Sequence, residues 1–238
     1  MPWRTLFFRY GWMFLGMMCL AFGIVLVAKG STFGVDPWTV FHLGLTYKTG
    51  WTLGRISQGA GLVIIVISAL LGVRPQLGTV LNMIFVGFFI DVINAHLISP
   101  DPVALPAAIL LVFVGSGIIG FGGAWYLSAD LGGGPRDSLM LAISKRSPWR
   151  VGNVRTAMEL TVLVVGYVLG GPVGLGTVCS AVIVGQTVDI ALSLFRILGE
   201  WGPFRGIIHV QVRTGKTSWL TRLGRQEEAA PCQSQIKP

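Results

Sequence analysis

The residues that cost this chain most are a carboxylate and two arginines set among apolar neighbours. Glu159 lies inside the apolar run 154–169. A carboxylate there costs a few kcal/mol on membrane-insertion scales unless it faces a cavity or a partner. Arg155 stands four residues earlier, on the same face of a helix. The pair reads either as an ion pair that locks its helix, or as a proton- or ligand-linked carboxylate with Arg155 as counter-charge. A second polar group is Gly132-Gly133-Gly134-Pro135-Arg136-Asp137, and Gly34-Val35-Asp36-Pro37 resembles it upstream. Proline at a first helical position, after Asp or Gly, is a helix-start signal. Such a start presents free N–H groups and a positive dipole end, which suits an anion. Glycines let a ligand approach the backbone, and Arg136 adds a charge-assisted contact. The plainer reading is a tight turn with Arg136 and Asp137 facing water.

Other chemistry lacks a basis in the residues. His42 has no second His or Cys at ligand spacing, and Cys19, Cys179 and Cys232 show no metal pattern, so no metal and no cofactor are expected. No Ser-His-Asp, Cys-His or H-E-x-x-H arrangement can be assembled, and no enzyme is expected. Thr214-Gly215-Lys216-Thr217 ends like a phosphate-binding loop, but Val210 stands where its first glycine is required.

Composition defines the solvent. The 238 residues are 53% hydrophobic and 12% charged, against about 25% charged in soluble domains. Soluble enzymes, disulfide modules and disordered chains are excluded. The net charge of +8 is concentrated at the end: seven of 18 Lys and Arg follow residue 195. That is a basic membrane-flanking tail rather than a nucleic-acid site. The first apolar run follows Arg4 and Arg9 and lacks a cleavage site, so it reads as a retained helix.

Six apolar runs are long enough to span: residues 12–28, 56–72, 77–98, 107–127, 154–169 and 175–194. Continuous runs of this length are helices, since only helices and closed barrels satisfy the backbone in lipid. With the N-terminus inside, 15 of the 18 Lys and Arg fall on the cytoplasmic side, which predicts both termini inside the inner membrane.

Residues 34–93 align without a gap on 132–191, with 16 identities in 60 pairs. Pro37/Pro135, Trp51/Trp149, Thr79/Thr177 and Asp91/Asp189 fall in one register, which apolar bias does not explain. Each copy carries three runs, so the second starts on the opposite side of the membrane. The expected fold is therefore all-α and polytopic: six transmembrane helices as two inverted three-helix repeats, each with a short broken or re-entrant helix. The parts are 1–98, 99–198 and a largely disordered tail, 199–238, in which 206–212 alternates like a short strand. Gly78, Thr79, Gly176 and Thr177 are expected to pack the repeat interface. Asp91 and Asp189 close their runs, against the dipole, and take either a partner such as a helix N-terminus or interfacial water.

The ordered motifs Gly34-x-x-Pro37-Trp38, Gly134-Pro135-Arg136-Asp137, Gly152-x-x-Arg155-x-x-x-Glu159 and Gly174-x-Gly176-Thr177 resemble the YczE/YyaS/YitT group of bacterial integral membrane proteins over residues 10–195. The resemblance implies a multi-span inner-membrane protein and no particular reaction. The soluble C-terminal domain of some YitT-type members is expected to be missing.

Inverted repeats are a recurring architecture of secondary transporters, with sites at the repeat interface. The expected function is a small-solute transporter or permease. Its central cavity would be lined by Asp36, Pro37, Gly134, Pro135, Arg136, Asp137, Arg155 and Glu159, binding a small polar or anionic solute with a proton on Glu159. The alternative is a non-transporting accessory or scaffold protein acting through the basic tail. The expected partners are the lipid bilayer and that solute, not nucleic acid, and a homo-oligomer stays open.

Overall fold

The computed structural model describes residues 3–96, 103–149 and 151–200. Among them are eight α-helices, one 3-10 turn and no strand: α1 (Trp3–Lys29), the 3-10 turn Ser31–Phe33, α2 (Pro37–Thr49), α3 (Leu53–Leu70), α4 (Leu77–His96), α5 (Leu105–Ser128), α6 (Pro135–Arg146), α7 (Val151–Val168) and α8 (Leu175–Glu200). The expected tail, with its strand-like stretch and Cys232, lies outside the described residues, apart from the end of α8.

Local chemistry sets the boundaries. Asp36 caps α2 by accepting from the Thr39 N–H at 3.2 Å, with Pro37 in the first turn. Thr52 caps α3 through the Arg55 N–H. Gly50 ends α2 at φ 72°, a conformation that suits glycine.

Among the described residues five helices are long and apolar enough to cross a membrane: α1, α3, α4, α5 and α8. The sixth expected span, α7, matches α3 in length at 18 residues. It is not among the five, because Asn153, Arg155 and Glu159 interrupt its apolar face. α1 starts well before the expected residue 12, because Arg9 is buried rather than flanking. Its Nε donates to the Ala129 carbonyl at 2.9 Å and an Nη to that of Asp130 at 3.0 Å. It thereby satisfies carbonyls at the end of α5, which no helical N–H can reach.

α1 and α5 run antiparallel at the centre. Gly16, Gly23 and Gly122 bring the two backbones together: a Cβ on any of them would strike main chain of the other helix. α4 packs on α1 and α8 on α5. The short helices cross over, α2 onto α7 and α6 onto α3. Lipid-like exposure covers the outside, as at Leu62, Val63, Val66 and Leu70 of α3.

The 98-residue offset recurs in the geometry. It separates the starts of α2 and α6 (Pro37, Pro135), α3 and α7 (Leu53, Val151), and α4 and α8 (Leu77, Leu175). It separates the positive-φ glycines Gly34 and Gly132, and Gly72 and Gly170. Trp51 N–H bonds Thr49 Oγ1, and Trp149 N–H bonds Ser147 Oγ. Docking is reciprocal as well. A side chain on Gly78 would meet the Leu131 carbonyl, and one on Gly176 the Gly34 carbonyl. Each chain break before a short helix thus sits on the start of the last helix of the other half.

Gly78→Ala and Gly176→Ala should each lose about 1–3 kcal/mol through overpacking against backbone. Gly117→Ala, where nothing lies within 4 Å, should be neutral or stabilising. Thermal unfolding in detergent, compared across the three, checks this.

Candidate functional site

The starts of α2 and α6 converge with α7 around one cavity of about 240 Å³. All eight residues expected at a central site line it: Asp36, Pro37, Gly134, Pro135, Arg136, Asp137, Arg155 and Glu159. The walls come from α1, α3, α4, α5 and α8.

The α6 start is built around Asp137. Its Oδ2 accepts the Gly134 N–H at 3.1 Å and the Tyr126 hydroxyl at 3.3 Å. The carboxylate thus reaches back to the N–H of its own N-cap, Gly134, so Asp137 is held as a structural cap rather than facing water. Asp36 differs. One oxygen caps α2, while Oδ1 is buried without a hydrogen-bond partner.

Arg136 lies with its guanidinium carbon 4.2 Å from the Trp38 ring centroid. Trp38 and Arg136 occupy equivalent places, 98 residues apart, so the two short helices meet at matching positions. Among the described residues Arg136 makes neither a hydrogen bond nor an ion pair, though Asp36, Asp137 and Glu159 all bear on its charge. Arg155 Nε reaches Glu159 Oε1 at 3.1 Å, and their side chains are 55% and 34% exposed. The pair that the sequence singled out therefore forms, and it faces the cavity at an open edge. Its counterparts Ser57 and Gly61 also line the cavity.

Trp38, His42, Asn82 and Tyr126 complete the polar lining, and sequence reasoning did not place them there. Asn82 is 7% exposed and its Nδ2 has no partner. A lone amide within an apolar run was its available signal. His42 stacks among Trp38 and Phe41; no group of three or more metal-type side chains occurs among the described residues.

The residues assigned to packing separate the halves. Thr79 Oγ1 donates to the Gly133 carbonyl at 2.7 Å, whereas Thr177 Oγ1 accepts the Gly174 N–H at 3.2 Å. Asp91 accepts the Thr52 hydroxyl at 2.7 Å and the Gly54 N–H at 2.9 Å. It takes a helix N-terminus as partner, which favours a carboxylate. Asp189 is exposed, and its carboxylate has no such partner among the described residues. The glycines beside them follow suit. Gly54 and Gly87 approach so closely that a Cβ on either would strike the carbonyl of the other, and Gln58 Nε2 ties α3 to the Ile84 carbonyl at 2.8 Å. Their counterparts Gly152 and Gly185 have nothing within 4 Å of a Cβ position. The seam between α3 and α4 is shut, and that between α7 and α8 is open.

Asp137→Ala should cost about 1–2 kcal/mol, the worth of a helix cap. Arg136→Gln should change stability little, since the loss of its contact with the Trp38 ring is offset by removing a partly buried charge that has no hydrogen bond. Parallel melting curves of the two variants check the contrast.

Comparison with known proteins agrees with a membrane protein. The uncharacterized membrane protein YczE of Bacillus subtilis (strain 168) is 38% identical over 190 residues, covering 79% of this chain and 87% of that one. An uncharacterized protein of Haemophilus influenzae is 37% identical over 171 residues, 72% of this chain and 76% of its own. The protein YyaS of Bacillus subtilis is 25% identical over 192 residues, 78% and 93% of the two chains. No solved structure matches. With its apolar helices, the chain is a multi-pass membrane protein of the YczE/YyaS kind, and since the model for the family of unknown function DUF6198 matches residues 7–193, it belongs to that family.

Proposed function

We propose that the chain is a small-solute transporter working by alternating access, with α1, α3, α4, α5, α7 and α8 as six spans in two inverted repeats. The observation that carries this reading is the pair of unlike seams. The same residue types, Gly54, Gly87 and Asp91 in one half and Gly152, Gly185 and Asp189 in the other, are packed together in the first and apart in the second. Two equivalent seams around one cavity, one shut and one open, are what rocking about a fixed site requires. Interconversion closes Gly152 on Gly185 and brings the Gly152 N–H to Asp189, while Gly54 parts from Gly87 and releases Asp91.

Polarity follows from the charge bias. With both termini in the cytoplasm, Asp91 lies near the outer face and Asp189 near the inner face. The arrangement is then open toward the cytoplasm. Arg155 and Glu159 stand at the open edge, where solute and proton enter together. Carboxylates inside membrane segments are the usual proton carriers of such proteins. Glu159 is bonded to Arg155 at 3.1 Å, and closure of α8 over α7 removes the pair from water.

Closure is testable without knowing the solute. In a chain with Cys19, Cys179 and Cys232 replaced by serine, Thr156→Cys with Val182→Cys, the counterparts of Gln58 and Ile84 that are bonded at 2.8 Å across the shut seam, should form an intramolecular disulfide in membranes under mild oxidation. That bond needs Cα atoms within about 7 Å, so it reports a shut α7/α8 seam. A pair that stays reduced under conditions that oxidise an exposed cysteine pair rules out the exchange.

A further inference from the structure

The cavity's unpaired groups specify the kind of solute. Most of its charges are already used. Arg155 and Glu159 are bonded to each other at 3.1 Å. Asp137 Oδ2 accepts from Gly134 and Tyr126. Of the charged and amide groups three remain, with the buried His42 imidazole beside them: the Arg136 guanidinium, the Asp36 Oδ1 oxygen and the Asn82 Nδ2 amide. Asn82 is more than nine-tenths buried and lines the cavity, as do the other two. The remainder is thus one cation with several donors, one anionic acceptor and one neutral donor.

Resting on the reading of this cavity as a solute site, we propose that it takes a small zwitterion carrying one carboxylate and one protonated amine. The carboxylate lies against Arg136 and the Asn82 amide, and the ammonium donates to Asp36 Oδ1. Arg136 stacks on Trp38, two residues from Asp36, and all three line the same cavity, so one small molecule carrying both charges can meet both groups. At about 240 Å³ the space falls below the roughly 300–1,000 Å³ of sites for drug-sized ligands. A simple anion would leave Asp36 Oδ1 buried and unpaired, beside two further carboxylates. A simple amine would leave Arg136 unpaired. A zwitterion satisfies both and adds no net charge, which avoids the cost of burying an uncompensated ion.

The test is binding to the full chain in lipid nanodiscs, by calorimetry, with matched probes. Glycine, alanine and γ-aminobutyrate supply both charges; propionate lacks the amine, and ethylamine lacks the carboxylate. At least one zwitterion should bind ten-fold or more tighter than propionate and ethylamine. Arg136→Gln should abolish that preference over ethylamine, and Asp36→Asn, which can still cap α2, should abolish that over propionate. Melting curves of both variants verify folding. Equal binding of propionate or ethylamine, or no binding of any zwitterion, overturns the assignment. Counterflow in proteoliposomes separates the two readings. A zwitterion that binds but is never exchanged removes transport and keeps the ligand class; exchange of an anion or amine alone does the reverse.

Discussion

Backbone must meet backbone in this protein, because lipid supplies no hydrophobic drive to hold helices together. The glycines are where that happens. Gly16, Gly23 and Gly122 join α1 to α5, Gly44 and Gly166 join α2 to α7, and Gly34 sits on Gly174 and Gly176. Remove the side chain at such a point and two helices gain close dispersion contact along their length. Add one and the whole crossing must shift. The short helices can be held inside the body only because their entries dock on glycines at the starts of α4 and α8. The cavity depends on them in turn.

Those crossings also account for the exchange between halves. α2 rests on α7 and α6 on α3, so neither half encloses its own short helix. A movement of α7 relative to α8 is felt at α2, and one of α3 relative to α4 at α6. Both short helices begin at the cavity. Under the transport reading, this links a seam on one face to the ligand groups of the opposite half.

Much of this was legible in the residues. Pro37 and Pro135, with their capping Asp and Gly, mark the chain breaks that become α2 and α6. The expense of Arg136, Arg155 and Glu159 in an apolar body points to a cavity, and all three line one. Asp91 was not legible to the same degree, since its partner Gly54 lies on another helix. Asn82 and Tyr126 were hidden because one polar group in an apolar run looks alike whether it faces a helix or a cavity. The difference between the seams was only partly legible. Gly54 and Gly152 are the same residue in the same register, as are Gly87 and Gly185. What differs is the ties around them: Thr52 and Gln58, which bond across the shut seam, stand opposite Arg150 and Thr156 in the other copy.

The departures from symmetry carry the chemistry. Trp38 and Arg136 are counterparts 98 residues apart, and they face each other. Had both copies kept arginine at positions 38 and 136, two guanidinium groups would stand near 4 Å apart, a repulsion of about 4 kcal/mol at an effective dielectric of 20. Tryptophan at 38 replaces that with an attraction of about 0.5–2 kcal/mol, and it leaves the donors of Arg136 uncommitted because a ring face accepts no directed hydrogen bond in their plane. The same divergence puts Arg155 and Glu159 opposite Ser57 and Gly61, so that one charged wall faces one small wall. Gly61 in particular leaves room for Met83 and Pro135 where a carboxylate would have stood. A duplicated scaffold with duplicated arginines would set like charges against each other. The second copy supplies Arg136, Asp137, Arg155 and Glu159, and the first supplies Asp36 with aromatic and small surfaces, so that one cavity is lined by unlike walls.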